Sequence, residues 1–175
     1  MELWDVYDEN RQKVGEPVDR NLFPKDKHRL TVHACIFNSK NQMLIQQRHS
    51  SKKTFPNVWD LTLGGCVQAG ESTTAACKRE LLEELNIYHD FSKEKPFLTI
   101  NFDGGFDDYF LIKKDVDINT VKFTDDEVQA VKWASKDEIL GMIKNKKFIN
   151  YYPGFVKALF EMKERRGAFN LEREK

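Results

Sequence analysis

The segment Gly65-Cys66-Val67-Gln68-Ala69-Gly70-Glu71-Ser72-Thr73-Thr74-Ala75-Ala76-Cys77-Lys78-Arg79-Glu80-Leu81-Leu82-Glu83-Glu84-Leu85-Asn86-Ile87 takes on a helical period at Ser72 and keeps it to Leu85. At about 100° per residue, Ala75, Leu81, Leu82 and Leu85 fall within about 120° of one another. Glu80, Glu83 and Glu84 stand at i, i+3 and i+4, so they share a face directed away from the leucines. Like charges so placed repel by roughly a few tenths of a kcal/mol per pair. A divalent cation among them removes that repulsion, and clustered carboxylates suit hard ions such as Mg²⁺ or Mn²⁺. Arg79 stands four residues before Glu83 and can steady one carboxylate, while Glu71 lies near the helix start, where the dipole favours negative charge. Leu81 to Leu85 alone reads as a solvated acidic face, which is common on helices. The wider spacing separates the two readings.

Outward from this helix, the chain alternates strand-like and turn-like stretches. Leu3 to Tyr7 and Val14 to Val18 flank Asp8-Glu9-Asn10-Arg11 as a β-hairpin with a polar turn. Leu30 to Phe37 is a strand closed by Asn38-Ser39-Lys40-Asn41, and Met43 to Gln47 returns as its partner. After a polar loop from Arg48 to Asn57, Val58 to Leu63 reads as a strand ending in Gly64-Gly65. Phe97 to Phe102 and Asp108 to Lys113 are strands joined through Asp103-Gly104-Gly105, and Val128 to Trp133 is another. Lys136 to Lys144 and Phe155 to Arg166 are amphipathic helices, the second entered through Pro153-Gly154. Strands first, a helix in the middle and helices at the end give a mixed α/β domain.

Composition narrows the function classes. The 175 residues carry 28 Lys+Arg against 28 Asp+Glu, which excludes the broad basic field of nonspecific nucleic-acid binding. With 40% hydrophobic and 12% aromatic residues the chain is globular rather than disordered. No apolar run reaches the roughly 18 residues that span a bilayer. Met1 to Asn10 has neither a basic start nor an apolar stretch, so no signal peptide is expected there. Cys35, Cys66 and Cys77, odd in number and in apolar or helical contexts, point to reduced thiols and a cytoplasmic setting.

The full spacing, Gly-x5-Glu-x7-Arg-Glu-Leu-x-Glu-Glu-x-Asn-Ile, resembles the Nudix box, whose pattern ends in Gly rather than Asn before its last aliphatic residue. A chance match at the eight agreeing positions is on the order of one in a million. Asn86 stands where the family has Gly, and Asn is the next most tolerant residue of a left-handed helix end. The resemblance implies a Nudix fold, a mixed β-sheet sandwiched between helices with the N-terminal hairpin added. It would form one domain over residues 1–170, with the hairpin at 1–20, the box at 65–87 and a frayed tail at 171–175. It implies that Glu80, Glu83, Glu84 and the Gly65 carbonyl hold Mg²⁺ or Mn²⁺, with Arg79 and Glu71 as orienting partners. A further carboxylate is expected from Asp125-Asp126-Glu127, with Glu127 the choice within it. The implied chemistry is hydrolysis of a diphosphate linkage in a nucleoside diphosphate derivative. In it the metal lowers the pKa of a bound water, and Glu80 or Glu127 takes a proton.

A second resemblance concerns the branch. Arg48, then Ser51-Lys52-Lys53 and Pro56-Asn57-Val58-Trp59, are similar to a run in isopentenyl-diphosphate isomerases, where basic residues hold a diphosphate. This makes Arg48, Lys52 and Lys53 candidate phosphate contacts, against the alternative of a solvated basic loop. The isomerases' catalytic Cys would fall at Gly64, however, and Cys66 is read as a small strand or loop residue. His33, inside an apolar strand, is read as a satisfied sheet-face histidine. Hydrolase is therefore preferred over isomerase, and a noncatalytic nucleotide-binding module is the third alternative. Phe102, Phe106 and Tyr109 either stack on a base or pack; Tyr151, Tyr152 and Phe155 are expected to pack. The partner is a small diphosphate, with a homodimer possible and neither membrane nor nucleic acid expected.

Overall fold

A computed structural model of the chain describes residues 2–123, 126–164 and 167–168. Two strands form a small antiparallel sheet, β1 (Leu3–Trp4) with β2 (Val18–Asp19). The other strands are β3 (Arg29–Phe37), β4 (Met43–Arg48), β5 (Trp59–Asp60), β6 (Leu63–Cys66), β7 (Leu98–Phe102), β8 (Gly105–Lys113) and β9 (Val128–Ala134). The helices are α1 (Thr73–Leu85), α2 (Lys136–Lys144) and α3 (Pro153–Met162). The expected end of the last helix at Arg166, like the tail at 171–175, lies outside the described residues.

The side-chain period of two divides the core. Leu30, Val32, Ala34 and Ile36 of β3, with Phe106, Phe110 and Ile112 of β8, face Cys77, Leu81 and Leu85 of α1. Cys35 and Phe37, with Tyr109, Leu111, Met43 and Ile45, face Ile139 and Ile143 of α2 and Val156, Leu159 and Phe160 of α3. This is the expected sheet between helices.

Pairing departs from the sequence reading in two places. β3 and β4 meet only at Phe37 and Met43, next to the turn. Beyond it they diverge, β3 pairing with β6 and in parallel with β8, β4 with β5 and β9. Thr62, fully buried, bridges the gap: its hydroxyl oxygen accepts from the Ile36 N–H at 3.0 Å and donates to the Leu44 carbonyl. The expected strand Val58 to Leu63 is consequently two strands on different partners. Gly64 and Gly65 lie inside the second, opposite His33 and Val32. At Gly105, φ is +146° and an added Cβ would come within 1.9 Å of the Arg29 carbonyl oxygen, so β8 can start there only with glycine.

Helix α1 begins at Ser72, whose side chain accepts from Ala75 N. It ends at Asn86 in the left-handed conformation (φ 51°), the role expected of that residue. Its buried side is rotated from the expected one. Ala76, Cys77, Leu81, Glu84 and Leu85 are buried, whereas Leu82 and Ala75 are exposed. The sheet chooses the strip of α1 that it covers, and that choice brings Glu84 inside.

The N-terminal hairpin is longer in contacts than in ladder. Val14 N donates to the Val6 carbonyl, and Tyr7 bridges both Lys13 and His28. Arg11 forms a bidentate pair with buried Asp108 of β8, at 3.0 and 2.6 Å. Ala69 N donates to the Leu3 carbonyl and Gly70 N to Asp5 Oδ2, which docks the hairpin beside the approach to α1.

Candidate active site

Between α1, the open side of β6 and the hairpin lies a cleft of about 300 Å³. Gly64, Gly65, Arg79, Glu80, Glu83 and Glu84 line one side, and Lys52 and Glu127 enter from the facing loops. Arg79 is the hub. Its Nε and Nη2 donate to the two oxygens of Glu71 at 2.8 and 2.9 Å, and Nη2 also reaches the Cys66 carbonyl at 3.2 Å. Its Nη1 contacts Glu80 Oε1 at 2.8 Å and Glu83 Oε2 at 3.0 Å. Burial opposes the Arg79 charge, but the bonds to Glu71 and Glu80 outweigh it and hold the guanidinium more firmly protonated than usual.

The two carboxylates nearest this hub are driven apart. Hydrogen bonds from Arg79 hold Glu71 below its ordinary range, and Gln68 N donates a further bond to it. Burial raises Glu80 above its ordinary range, with Arg79 pulling the other way. Buried Glu84 accepts from Gln46 Nε2 of β4 at 3.3 Å. A Cβ at Gly65 would come within 2.6 Å of the Glu80 carboxyl carbon, so the missing side chain is what lets that carboxylate lie against β6. Glycine cradle, carboxylates and backbone carbonyls form a hard-oxygen donor set that fits Mg²⁺ or Mn²⁺. Among the described residues no three such side chains already converge on one point; Arg79 lies between Glu71, Glu80 and Glu83.

A family model described as the NUDIX domain matches residues 27–155. The chain belongs to the Nudix family. It is 38% identical over 165 residues to an uncharacterized Nudix hydrolase of Listeria monocytogenes, covering 93% of this chain and 96% of that one. It is 27% identical over 143 residues to a Nudix hydrolase of Deinococcus radiodurans, covering 81% of this chain and 84% of that relative. A Deinococcus radiodurans crystal structure superimposes with a TM-score of 0.75 at 25% identity, over 90% of this chain and 99% of its own.

Within this Nudix fold the box residues Gly65, Glu80, Arg79, Glu83 and Glu84 share the cleft, and Glu71 touches it through Arg79. Glu127 lines it too, in a close ion pair with Lys52; Asp125 lies outside the described residues. Of the three basic residues expected at the diphosphate, only Lys52 lines the cleft. The Arg48 guanidinium bonds the Thr54 carbonyl at 3.2 and 3.1 Å and stands 4.0 Å from Asp60, while Lys53 is exposed. Reading the sequence missed Glu2, Trp4 and Arg20, which form the hairpin's contribution to the lining. The hairpin itself was legible, but no local signal says that it folds over the box.

The other singled-out residues have structural partners. His33 Nδ1 is 2.8 Å from Asp107 Oδ1 and its ring stacks on Tyr109 at 4.7 Å. Burial raises the Cys66 thiol, against the pull of Arg29, so it is no activated nucleophile. Phe106 and Tyr109 are buried in the core, and the Phe102 ring lies under Arg29 at 5.4 Å. Tyr151 packs and donates to Asp60 at 2.9 Å; Phe155 stacks edge-on against Tyr109; Tyr152 is exposed and does not pack. Among the described residues no helix is long and apolar enough to cross a membrane.

Proposed function

We propose that this chain is a divalent-metal-dependent pyrophosphohydrolase that cleaves the diphosphate linkage of a nucleoside diphosphate derivative. One observation supports the reading above the others: Glu80, Glu83 and Glu84 of the box open onto the same cleft as Lys52 and Glu127. Glu80, Glu83, Glu84 and the Gly65 carbonyl would hold Mg²⁺ or Mn²⁺, which when bound neutralises phosphate charge and makes a bound water more acidic. Lys52 leaves Glu127 for a phosphate oxygen of the substrate. The freed Glu127 carboxylate, or that of Glu80, takes the proton of the attacking water. Arg79 and Glu71 keep Glu80 and Glu83 in place, which suits a reaction that needs mostly positioning and charge stabilisation. We read residues 1–170 as one domain acting in the cytoplasm, where the buried thiols of Cys35 and Cys77 remain reduced.

The isomerase alternative rests on the Arg48–Trp59 run. A side chain at Gly64, where those enzymes carry their cysteine, would come within 2.8 Å of His33 Nε2, so the position is built for glycine. The deciding experiment incubates the chain with a panel of nucleoside diphosphate derivatives and with isopentenyl diphosphate, with and without Mg²⁺ or Mn²⁺. Metal-dependent cleavage of a nucleotide is the expected result. Isomer formation without hydrolysis would overturn the proposal, as would tight nucleotide binding with no turnover.

A further inference from the structure

Three residues that precede the stretch matched by the family model, Glu2, Trp4 and Arg20, line the cleft together with the box. Glu2, Trp4 and Arg20 are linked there in a short chain of contacts. Glu2 Oε1 accepts from Trp4 Nε1 at 2.7 Å, and Glu2 Oε2 accepts from Arg20 Nη1 at 2.5 Å. The Arg20 guanidinium lies over the Trp4 indole, 5.8 Å from the ring centroid. Glu2 thus uses one oxygen for each neighbour, and the rest of the guanidinium fork has no hydrogen-bond partner among the described residues.

The cations of the cleft differ in how firmly they are committed. Arg79 is taken up by Glu71, Glu80, Glu83 and the Cys66 carbonyl, and its surroundings leave nothing for a substrate. The Arg20 side chain is 53% exposed, so its pair with Glu2 is the screened surface kind and exchanges readily. A phosphate offers the same guanidinium two charge-assisted bonds in the planar geometry it prefers. Glu2, once released, keeps its bond to Trp4 and its access to water, so the exchange strands no buried charge. The wall itself is anchored by Ala69 N to the Leu3 carbonyl, Gly70 N to Asp5 Oδ2, and Arg11 to Asp108.

We propose that Arg20 binds a phosphate oxygen of the substrate across the cleft from the box, exchanging Glu2 for it, and that Glu2 and Trp4 hold the guanidinium in position beforehand. The inference rests on the diphosphate-hydrolase reading and adds to it a contact from outside the family segment. Arg20 and Lys52 then grip the substrate from the side opposite the carboxylates, which leaves the box free for metal.

The test titrates inorganic pyrophosphate with Mg²⁺ into the full chain, as wild type, Arg20→Gln and Arg20→Lys, with thermal unfolding of each recorded alongside. Arg20→Gln is expected to weaken binding by roughly ten- to a hundredfold at unchanged Tm, the loss of a charged hydrogen-bonding partner. Arg20→Lys should recover part of that, keeping the charge and losing the fork. On whichever panel nucleotide is cleaved, Arg20→Gln should raise KM more than it lowers kcat. Pyrophosphate affinity within about threefold of wild type would overturn the proposal, as would a wild type that does not bind the probe. If Arg20→Gln fails to fold, Arg20→Lys decides: weaker binding at retained Tm supports the contact, and unchanged binding removes it. Pyrophosphate binding that depends on Arg20, in a wild type that cleaves no panel nucleotide with either metal, would instead bring down the hydrolase reading, so the two failures are distinguishable.

Discussion

On one side of the cleft, Glu71, Arg79, Glu80 and Glu83 lie within thirteen consecutive positions and are held by one another. On the other side, Arg20, Lys52 and Glu127 come from three separate segments, each paired with a partner brought to it by the fold. The first wall is local: Arg79 meets Glu83 four positions on along the helix and reaches back eight positions to Glu71 ahead of it. The second depends on distant contacts: Arg11 with Asp108 for the hairpin, and His49 N with the Glu127 carbonyl for the loop that carries Lys52. Local spacing can therefore specify a reactive surface, while the opposing surface that encloses a substrate is a product of packing.

The sharpest way to separate the two walls is Glu83→Gln. It removes charge from the box without changing shape and leaves Arg79 bonded to Glu71 and Glu80. Metal-dependent hydrolysis should fall by about a hundredfold or more, with Tm nearly constant. Near wild-type turnover would show that the box wall is not the reactive one.

Asp108→Ala attacks the far wall from a distance. Asp108 is 1% exposed and receives Arg11 and Thr99, so its loss should destabilise the chain by about 2 kcal/mol. The figure is below that of a fully buried pair because the Arg11 side chain is 33% exposed. Denaturant midpoints measure it, and activity should fall along with them; an unchanged midpoint would mean that the hairpin is anchored without this pair.

Gly65→Ala tests the seam between strand and helix. The new Cβ would meet Glu80 at 2.6 Å and push the carboxylate outward, lowering kcat/KM by about tenfold with a smaller effect on Tm. Wild-type kinetics would show that the close approach is incidental.

The smallest effect expected is a pH-dependent one at Glu71. Arg79 holds its folded pKa below the ordinary value of 4.5, so the stabilisation is present above that value and is lost as pH falls through the lower folded one. Glu71→Gln should therefore be less stable than wild type near neutrality, the gap closing as acid protonates Glu71. A gap independent of pH would assign the loss to packing instead.

How much could be read beforehand differs by element in the same way. The left-handed end of α1 at Asn86 and the α2 boundaries follow from neighbouring residues, and the structure has them where the sequence places them. The antiparallel partnering of β3 with β4 holds only at Phe37 and Met43, because a tight turn says only that two strands start together, and Thr62 then fills the space between them. Glu84 is buried where the wheel places it with the outward carboxylates, because a helix wheel gives which residues share a side, without saying which side the sheet covers. Arg48 left the phosphate group for the same reason: its own loop offers the Thr54 carbonyl at hydrogen-bonding distance.

The sequence by itself determined the acidic helix, its caps, the strands' in–out alternation and the box that identifies the family, since each depends on residues a few positions apart. Only the tertiary structure decided which strands pair, that Glu84 faces inward, and that Glu2, Trp4 and Arg20 stand across from the box. Those outcomes turn on contacts such as Arg11 to Asp108, separated by 97 positions, whose formation depends on every segment folded between them.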